Sequence, residues 1–407
     1  MRAVEARVAG APGVSSAWTW YVVGAAAWFL SFGLNGVIVP ALVTQELRGG
    51  GGAMALAQMA SQGPMVTLIL LGGAVADRVD RRRMLIALHL VAAALVTMLA
   101  LRVSGGGLSL SLVVCYGIGM GTVTAFLMPA RDALLSDVAG GNLMRAVSML
   151  TMTQWGMQAL GNLTARLESS GGIVPLIALQ AAVLAAGALA ILRLPQRAGA
   201  RAPQRETLSL GELLEGIGEV ARSPVLGPVA LLAVALGFLF ISPFLVVFPL
   251  LVRDFYGGDR GDLSLLYACF PLGIIASSLV ILGRGGVRRK GRAQLVSLAI
   301  GALCMTALGS GLPFRGALAT VLAFGLGAAV FMNASRTLFQ QKAPPAHRGR
   351  VLSVYSLSTM GASLFGAPLF GLLVVQLGPL RSCMISGVAM TCLVAAFALF
   401  TRVRELE

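Results

Sequence analysis

The feature that most constrains this chain is the recurrence, twelve times, of an apolar stretch about as long as a bilayer is thick. The stretches fall near 18–47, 53–75, 84–103, 108–134, 143–168, 173–194, 226–254, 262–283, 294–312, 315–341, 351–377 and 381–401. A spanning helix needs roughly 20 such residues, and only a segment that closes its own backbone hydrogen bonds survives in lipid. Composition agrees, because 57% of the 407 residues are hydrophobic and only 12% are charged. That leaves too little polar surface to cover a water-soluble globule. The expected fold is an all-α membrane protein of twelve transmembrane helices in two pseudo-symmetric six-helix bundles. The first stretch is too long for a signal-peptide core and should remain as the first helix.

A formal net charge of +15 invites comparison with nucleic-acid binders. The basic residues instead recur at intervals between apolar stretches, so no nucleic-acid partner is expected. Cations flanking short loops are retained on the cytoplasmic side, and alternate loops take nearly all of them. They are Arg78, Arg81, Arg82 and Arg83; Arg131 and Arg145; the span from Arg193 to Arg222; that from Arg284 to Arg292; and that from Arg336 to Arg350. The pattern predicts a multi-pass protein of a bacterial inner membrane with both termini cytoplasmic. Cys115, Cys269, Cys304, Cys383 and Cys392 sit inside apolar stretches without metal-site or disulfide spacing, and read as small core residues. Neither a metal nor a cofactor is expected.

Residues 195–225 are polar, rich in Arg, Pro and Glu, with a short amphipathic stretch from Leu208 to Val220. They divide the chain into an amino-terminal bundle (1–194), a cytoplasmic linker (195–225) and a carboxy-terminal bundle (226–407). Shifting the chain by 205 residues brings Arg131 onto Arg336, Arg145 onto Arg350, Ser148 onto Ser353, Gly156 onto Gly361 and Gly161 onto Gly366. These matches favour a duplicated six-helix unit. Alternating-access transporters are built from such repeats, with the substrate between them near the midplane.

After the second stretch the chain reads Gly72-Gly73-Ala74-Val75-Ala76-Asp77-Arg78-Val79-Asp80-Arg81-Arg82-Arg83. It resembles the G-x-x-x-D-R-x-G-R-R loop of the major facilitator superfamily, with Asp80 where the general pattern has Gly. The D-R-x-D-R-R form is that of the drug and siderophore exporter branch, which includes enterobactin exporters and macrolide efflux pumps. Pro129-Ala130-Arg131-Asp132-Ala133-Leu134-Leu135 is similar to that branch's P-A-R-x-A-L-L segment. The resemblance implies export of drug-like or siderophore-like molecules by alternating access, with protons as coupling ion. It also implies a cytoplasmic gate containing Gly73, Asp77, Arg78, Arg81 and Arg131. The residue chemistry suits a gate: Gly73 would let the second helix approach a neighbour closely, and Asp77 among arginines accepts guanidinium contacts. The loop from Gly283 to Lys290 is basic but lacks the Asp.

Ionisable groups deep in the membrane would mark a substrate or proton path. Here the acids nearest the bilayer, Glu46, Asp132, Glu168, Asp254 and Asp262, sit at the ends of stretches. What lies inside is uncharged. Gln154, Gln158 and Asn162 recur at i, i+4, i+8 and share one helical face, turned toward an interhelical seam or a water-filled cavity. The substrate-cavity candidates are Asn35, Gln58, Gln62, Gln154, Gln158, Asn162, Phe244, Tyr267, Asn333 and Met360, with Phe238, Phe240 and Phe331 as further apolar lining. Such a set suits a large, weakly polar or cationic compound.

Asp77 and Asp132 are the coupling candidates, ahead of Glu46 and His89, the last of which reads better as a packed histidine. Two departures weaken the implied proton coupling: Val113 stands four residues before Gly117 where proton-linked members carry Arg, and Asn162 rather than Pro follows Gly161. No phosphate-binding loop or enzyme constellation is found, so the chain is read as no enzyme. It is expected to be a monomer surrounded by membrane lipid. The alternatives are a lysophospholipid transporter or flippase, and a transporter-like sensor that binds without moving its ligand.

Overall fold

The computed structural model describes residues 16–139, 143–167, 172–195, 210–287, 289–343, 348–401 and 403–406. Helix α1 runs Ser16–Ala41 and continues through a wide turn, Leu42–Glu46. It is followed by α2 (Gly51–Ala76), α3 (Arg81–Ser104), α4 (Leu110–Val138), α5 (Leu143–Leu167) and α6 (Val174–Leu192). A short helix, α7 (Leu210–Arg222), precedes α8 (Leu226–Phe255), α9 (Arg260–Gly283), α10 (Lys290–Gly309) and α11 (Phe314–Lys342).

The last helical stretch, Arg348–Phe400, is broken at Gly378, whose φ of 81° favours glycine. It forms α12 (348–377) and α13 (379–400), with Pro379 opening the second helix, where its missing N–H costs nothing. Among the described residues, ten stretches are long and apolar enough to cross a membrane, the last holding α12 and α13 together. The helix α5 is not among the ten, because Thr151, Thr153, Gln154, Gln158, Asn162 and Thr164 dilute its apolar content. Adding it and separating α12 from α13 gives twelve spans.

Both halves are assembled by the same pairings. In the first, a Cβ on Gly161 of α5 would lie 2.4 Å from the carbonyl oxygen of Leu30 in α1, and one on Gly121 of α4 would lie 2.1 Å from that of Ser61 in α2. In the second, Gly237 of α8 stands in the same relation to Thr359 of α12, and Gly325 of α11 to Phe270 of α9, each at 2.1 Å. Lipid tails are as apolar as leucine, so helices in a membrane associate where small residues let backbones touch. First-with-fifth and second-with-fourth packing thus repeats across the pseudo-symmetry axis.

Two helix ends differ from the sequence expectation in ways that build the site. The helix α3 starts at Arg81, earlier than expected, because the Asp80 carboxylate accepts the Arg83 backbone N–H at 2.9 Å and caps the first turn. This is the structural use of the residue that replaces Gly in the loop pattern. The helix α4 continues past 134 to Val138 and thereby presents Asp137 to α3.

Candidate gate and substrate path

Arg81 is buried at the start of α3 and is held by two carboxylates. Its Nη1 lies 2.9 Å from Asp137 Oδ2 and its Nη2 3.6 Å from Asp77 Oδ1. The cluster therefore ties the α2–α3 loop to the end of α4, within one half. Arg131, also expected in the gate, lies two turns inside α4. It pairs with the adjacent Asp132 at 2.9 Å, sits 4.8 Å above the Phe29 ring, and its carbonyl accepts the Tyr21 hydroxyl at 3.1 Å. Arg78 is exposed and stands outside the cluster. The expected close approach at Gly73 is corrected: a Cβ there meets open space, whereas one on Gly72 would lie 2.2 Å from the Ala125 carbonyl oxygen. The glycine that touches α4 is one residue earlier, roughly 100° round the helix.

At the opposite end the two halves are bonded to each other. Arg253, at the end of α8, donates Nη1 to the carbonyls of Thr44 at 2.8 Å and Gly49 at 2.7 Å, while its other edge pairs with Asp254. Arg166 of α5 donates to the Gly261 carbonyl at 3.4 Å, and Asn162 to the Tyr267 carbonyl at 3.0 Å. The Ser363 hydroxyl of α12 donates to Gln62 Oε1 of α2 at 2.8 Å. A Cβ on Gly51 would lie 2.2 Å from the Gly371 carbonyl oxygen, so the backbones of α2 and α12 nearly touch. Hydrogen bonds to a charged donor are worth about 1.5–3 kcal/mol each, and Arg253 makes two across the seam. Arg253→Ala is accordingly expected to raise maleimide labelling of a cysteine placed at Gln45, beside the latch, by about tenfold or more; an unchanged rate would show that Arg253 holds nothing shut.

The substrate-cavity candidates separate into four groups. Asn35 belongs to a polar knot inside the amino-terminal half: its Oδ1 accepts the Tyr116 hydroxyl at 2.6 Å and lies 3.5 Å from Gln180 Nε2, which also reaches Ser31. Asn162, Gln62 and Tyr267 are spent on the seam, the Tyr267 hydroxyl donating to the Phe244 carbonyl at 3.0 Å. Phe240 and Phe331 are buried core rather than lining, as is Gln58.

What remains accessible is Gln154 and Gln158, half-buried and without a side-chain hydrogen bond to any described residue, together with exposed Asn333 and Met360. Next to Gln154 in sequence, Trp155 opens an aromatic chain of which the sequence singled out Phe244 alone. Trp155 meets Phe270 edge-on at 6.3 Å, and Phe270 stacks on Phe244 at 5.0 Å and Phe324 at 5.4 Å. His89 is buried against Trp28, as expected of a packed histidine. No group of three or more His, Cys, Asp or Glu able to hold a metal occurs among the described residues.

Twelve spans, a repeated packing scheme and an Asp–Arg cluster after the second helix are thus in place. The family model for the Major Facilitator Superfamily matches residues 21–360 and 256–407. The chain belongs to the Major Facilitator Superfamily. Among superfamily proteins, macrolide efflux protein A of Streptococcus pyogenes is 26% identical over 350 residues, covering 82% of this chain and 84% of that protein. The enterobactin exporter EntS of Shigella flexneri is 26% identical over 363 residues, covering 88% and 85%. The structure of the nucleoside transporter NupG is similar with a TM-score of 0.75 at 14% identity, over 93% of this chain and 98% of that one. That of the D-xylose-proton symporter is similar with a TM-score of 0.73 at 14% identity, over 96% and 99%. These superfamily structures share the fold.

Proposed function

We propose that this chain is a secondary active exporter of drug-like or siderophore-like small molecules, working by alternating access and driven by proton antiport. The observation that carries the reading is the placement of the cross-half bonds. They join the halves at the Arg253 end, while the Asp77, Arg81 and Asp137 charges pair within one half at the other. With the Arg-rich loops in the cytoplasm, this is a carrier closed outward and open inward, the side from which an exporter loads. Similarity to macrolide and enterobactin exporters supports the substrate class.

The accessible side chains suit that class. Gln154, Gln158 and Asn333 offer a few directed hydrogen bonds, and Trp155, Phe244 and Phe270 an aromatic surface. A bulky ligand would be recognised mainly by apolar area, with orientation fixed by few polar contacts. Turnover then requires the seam bonds of Arg253, Arg166, Asn162 and Gln62 to break as the cytoplasmic ends close. A ligand shifts that balance only by its difference in affinity for the two states, and contacts made by the Asp77–Arg81 cluster to the other half would offset the loss. A proton on Asp77 or Asp132 would remove one charge from the gate and so link its closure to the gradient.

Cells producing the chain should accumulate less macrolide or lipophilic dye than cells without it, and a protonophore should abolish the difference. Equal accumulation throughout would refute export and favour a sensor; a difference that survives the protonophore would refute proton antiport. Loss of lysophospholipid from the inner leaflet in place of dye efflux would favour the flippase alternative.

A further inference from the structure

We propose that the ends of α3 and α6 beside Trp20 form a binding site for the headgroup of an anionic phospholipid. Each helix carries an exposed stripe: Arg83, Ala87, Leu90 and Ala94 on α3, and Ala182, Ala186, Leu189 and Arg193 on α6. The spacing of four, three and four keeps each set on one helical face. Leu90 and Leu189 are more than half exposed, as leucines that face lipid are. Both stripes end in arginine at the same end of the bundle.

Between them Arg82 reaches across and donates Nη2 to the carbonyl of Leu192, the last residue of α6, at 2.5 Å. Its Nε is buried without an acceptor. The Arg193 guanidinium lies 4.7 Å above the Trp20 ring, and tryptophan at this level is an interfacial anchor.

No ion pair to Arg82, Arg83 or Arg193 occurs among the described residues; those present involve Arg81, Arg131 and Arg253. The nearest carboxylate in sequence, that of Asp80, accepts the Arg83 backbone N–H as a helix cap. Arg82 and Arg83 at the start of α3 and Arg193 at the end of α6 thus stand at one end of the apolar stripes, Arg82 bonded across to the residue before Arg193 and carrying an N–H that has no acceptor among the described residues.

A phosphodiester supplies acceptors in the geometry arginine prefers, while its acyl chains lie along the two stripes. Basic pockets at the cytoplasmic side of membrane helices attract anionic headgroups in this way, each arginine contributing about fivefold in affinity. The leaflet occupied, though not the site, rests on the orientation argued above.

The full chain, purified in detergent and offered equal amounts of phosphatidylglycerol and phosphatidylcholine, should retain the anionic lipid at least about fivefold better in native mass spectrometry. Arg193→Gln should lower that retention about fivefold, and Arg82→Gln with Arg193→Gln about 25-fold. Arg193→Gln suffices if the double variant does not fold, because the exposed Arg193 side chain caps no carbonyl. The pair Arg289→Gln and Arg292→Gln, exposed on the other half, should leave retention within twofold of the parent chain. Equal retention of the two lipids, an equal loss from the distant pair, or full displacement by about 10 mM inorganic phosphate, which matches the charge but not the chains, would each overturn the site.

Discussion

Asp77→Asn is expected to leave insertion and folding intact while lowering transport at least about tenfold, equivalent to about 1.4 kcal/mol in the balance between end states. The asymmetry follows from how Arg81 is held. Its contact to Asp77 is the longer one, at 3.6 Å, and that to Asp137 the shorter, at 2.9 Å. With Asp77 neutral, the buried guanidinium keeps a counter-ion and the α3–α4 contact survives. What is lost is the charge that the proposed gate would use against the other half. Removing both carboxylates should behave differently, because a buried arginine stripped of its partners costs about 3–5 kcal/mol, and that variant should lose thermal stability as well as activity. Transport per folded molecule, measured beside thermal unfolding in detergent, separates the two. Full activity in Asp77→Asn would leave the cluster as a structural tie alone.

Adjacent glycines should respond in opposite directions. Gly72→Ala places a Cβ 2.2 Å from a backbone oxygen of α4, and no rotamer change relieves a clash with main chain. Overpacking of this kind costs about 1–3 kcal/mol or more, and Gly72→Val should exceed it. Gly73→Ala meets open space and replaces a poor helix former with the best, a change worth up to about 1 kcal/mol in favour of the helix. Midpoints of thermal unfolding for the two alanine variants check this directly. If Gly73→Ala proved the more damaging, the α2–α4 contact described above would be wrong.

This pair also shows where sequence reasoning stops. Hydropathy marks a spanning helix well, since the signal is spread over some twenty residues; even α5, diluted by its polar side chains, is found. Which of two neighbouring glycines touches a partner depends on a rotation of about 100°, and an apolar run carries no mark of that phase. Asp77 and Arg81 were legible because they are close together in a recognisable loop. Asp137 was not, because the helix that presents it runs on past the apolar residues through Ser136, and its partner is 56 residues away.

Asn162 was legible as facing inward. Whether it bonds a substrate or a neighbouring helix is decided by the Tyr267 carbonyl, 105 residues distant. Nothing in the sequence pattern singles out Arg253. Its acceptors are peptide oxygens, and these have no signature in the amino-acid alphabet.

That last point reaches beyond the Arg253 contact. A contact whose receiving side is main chain is specified by the path of the backbone, so exchanging Thr44 for another side chain would leave its oxygen in place. Adding or deleting one residue in the 42–50 turn would carry both oxygens away from Arg253 without touching a single charged group. At this contact, libraries of point substitutions would therefore register Arg253 and its Asp254 partner but not the receiving oxygens, until changes in loop length were tried.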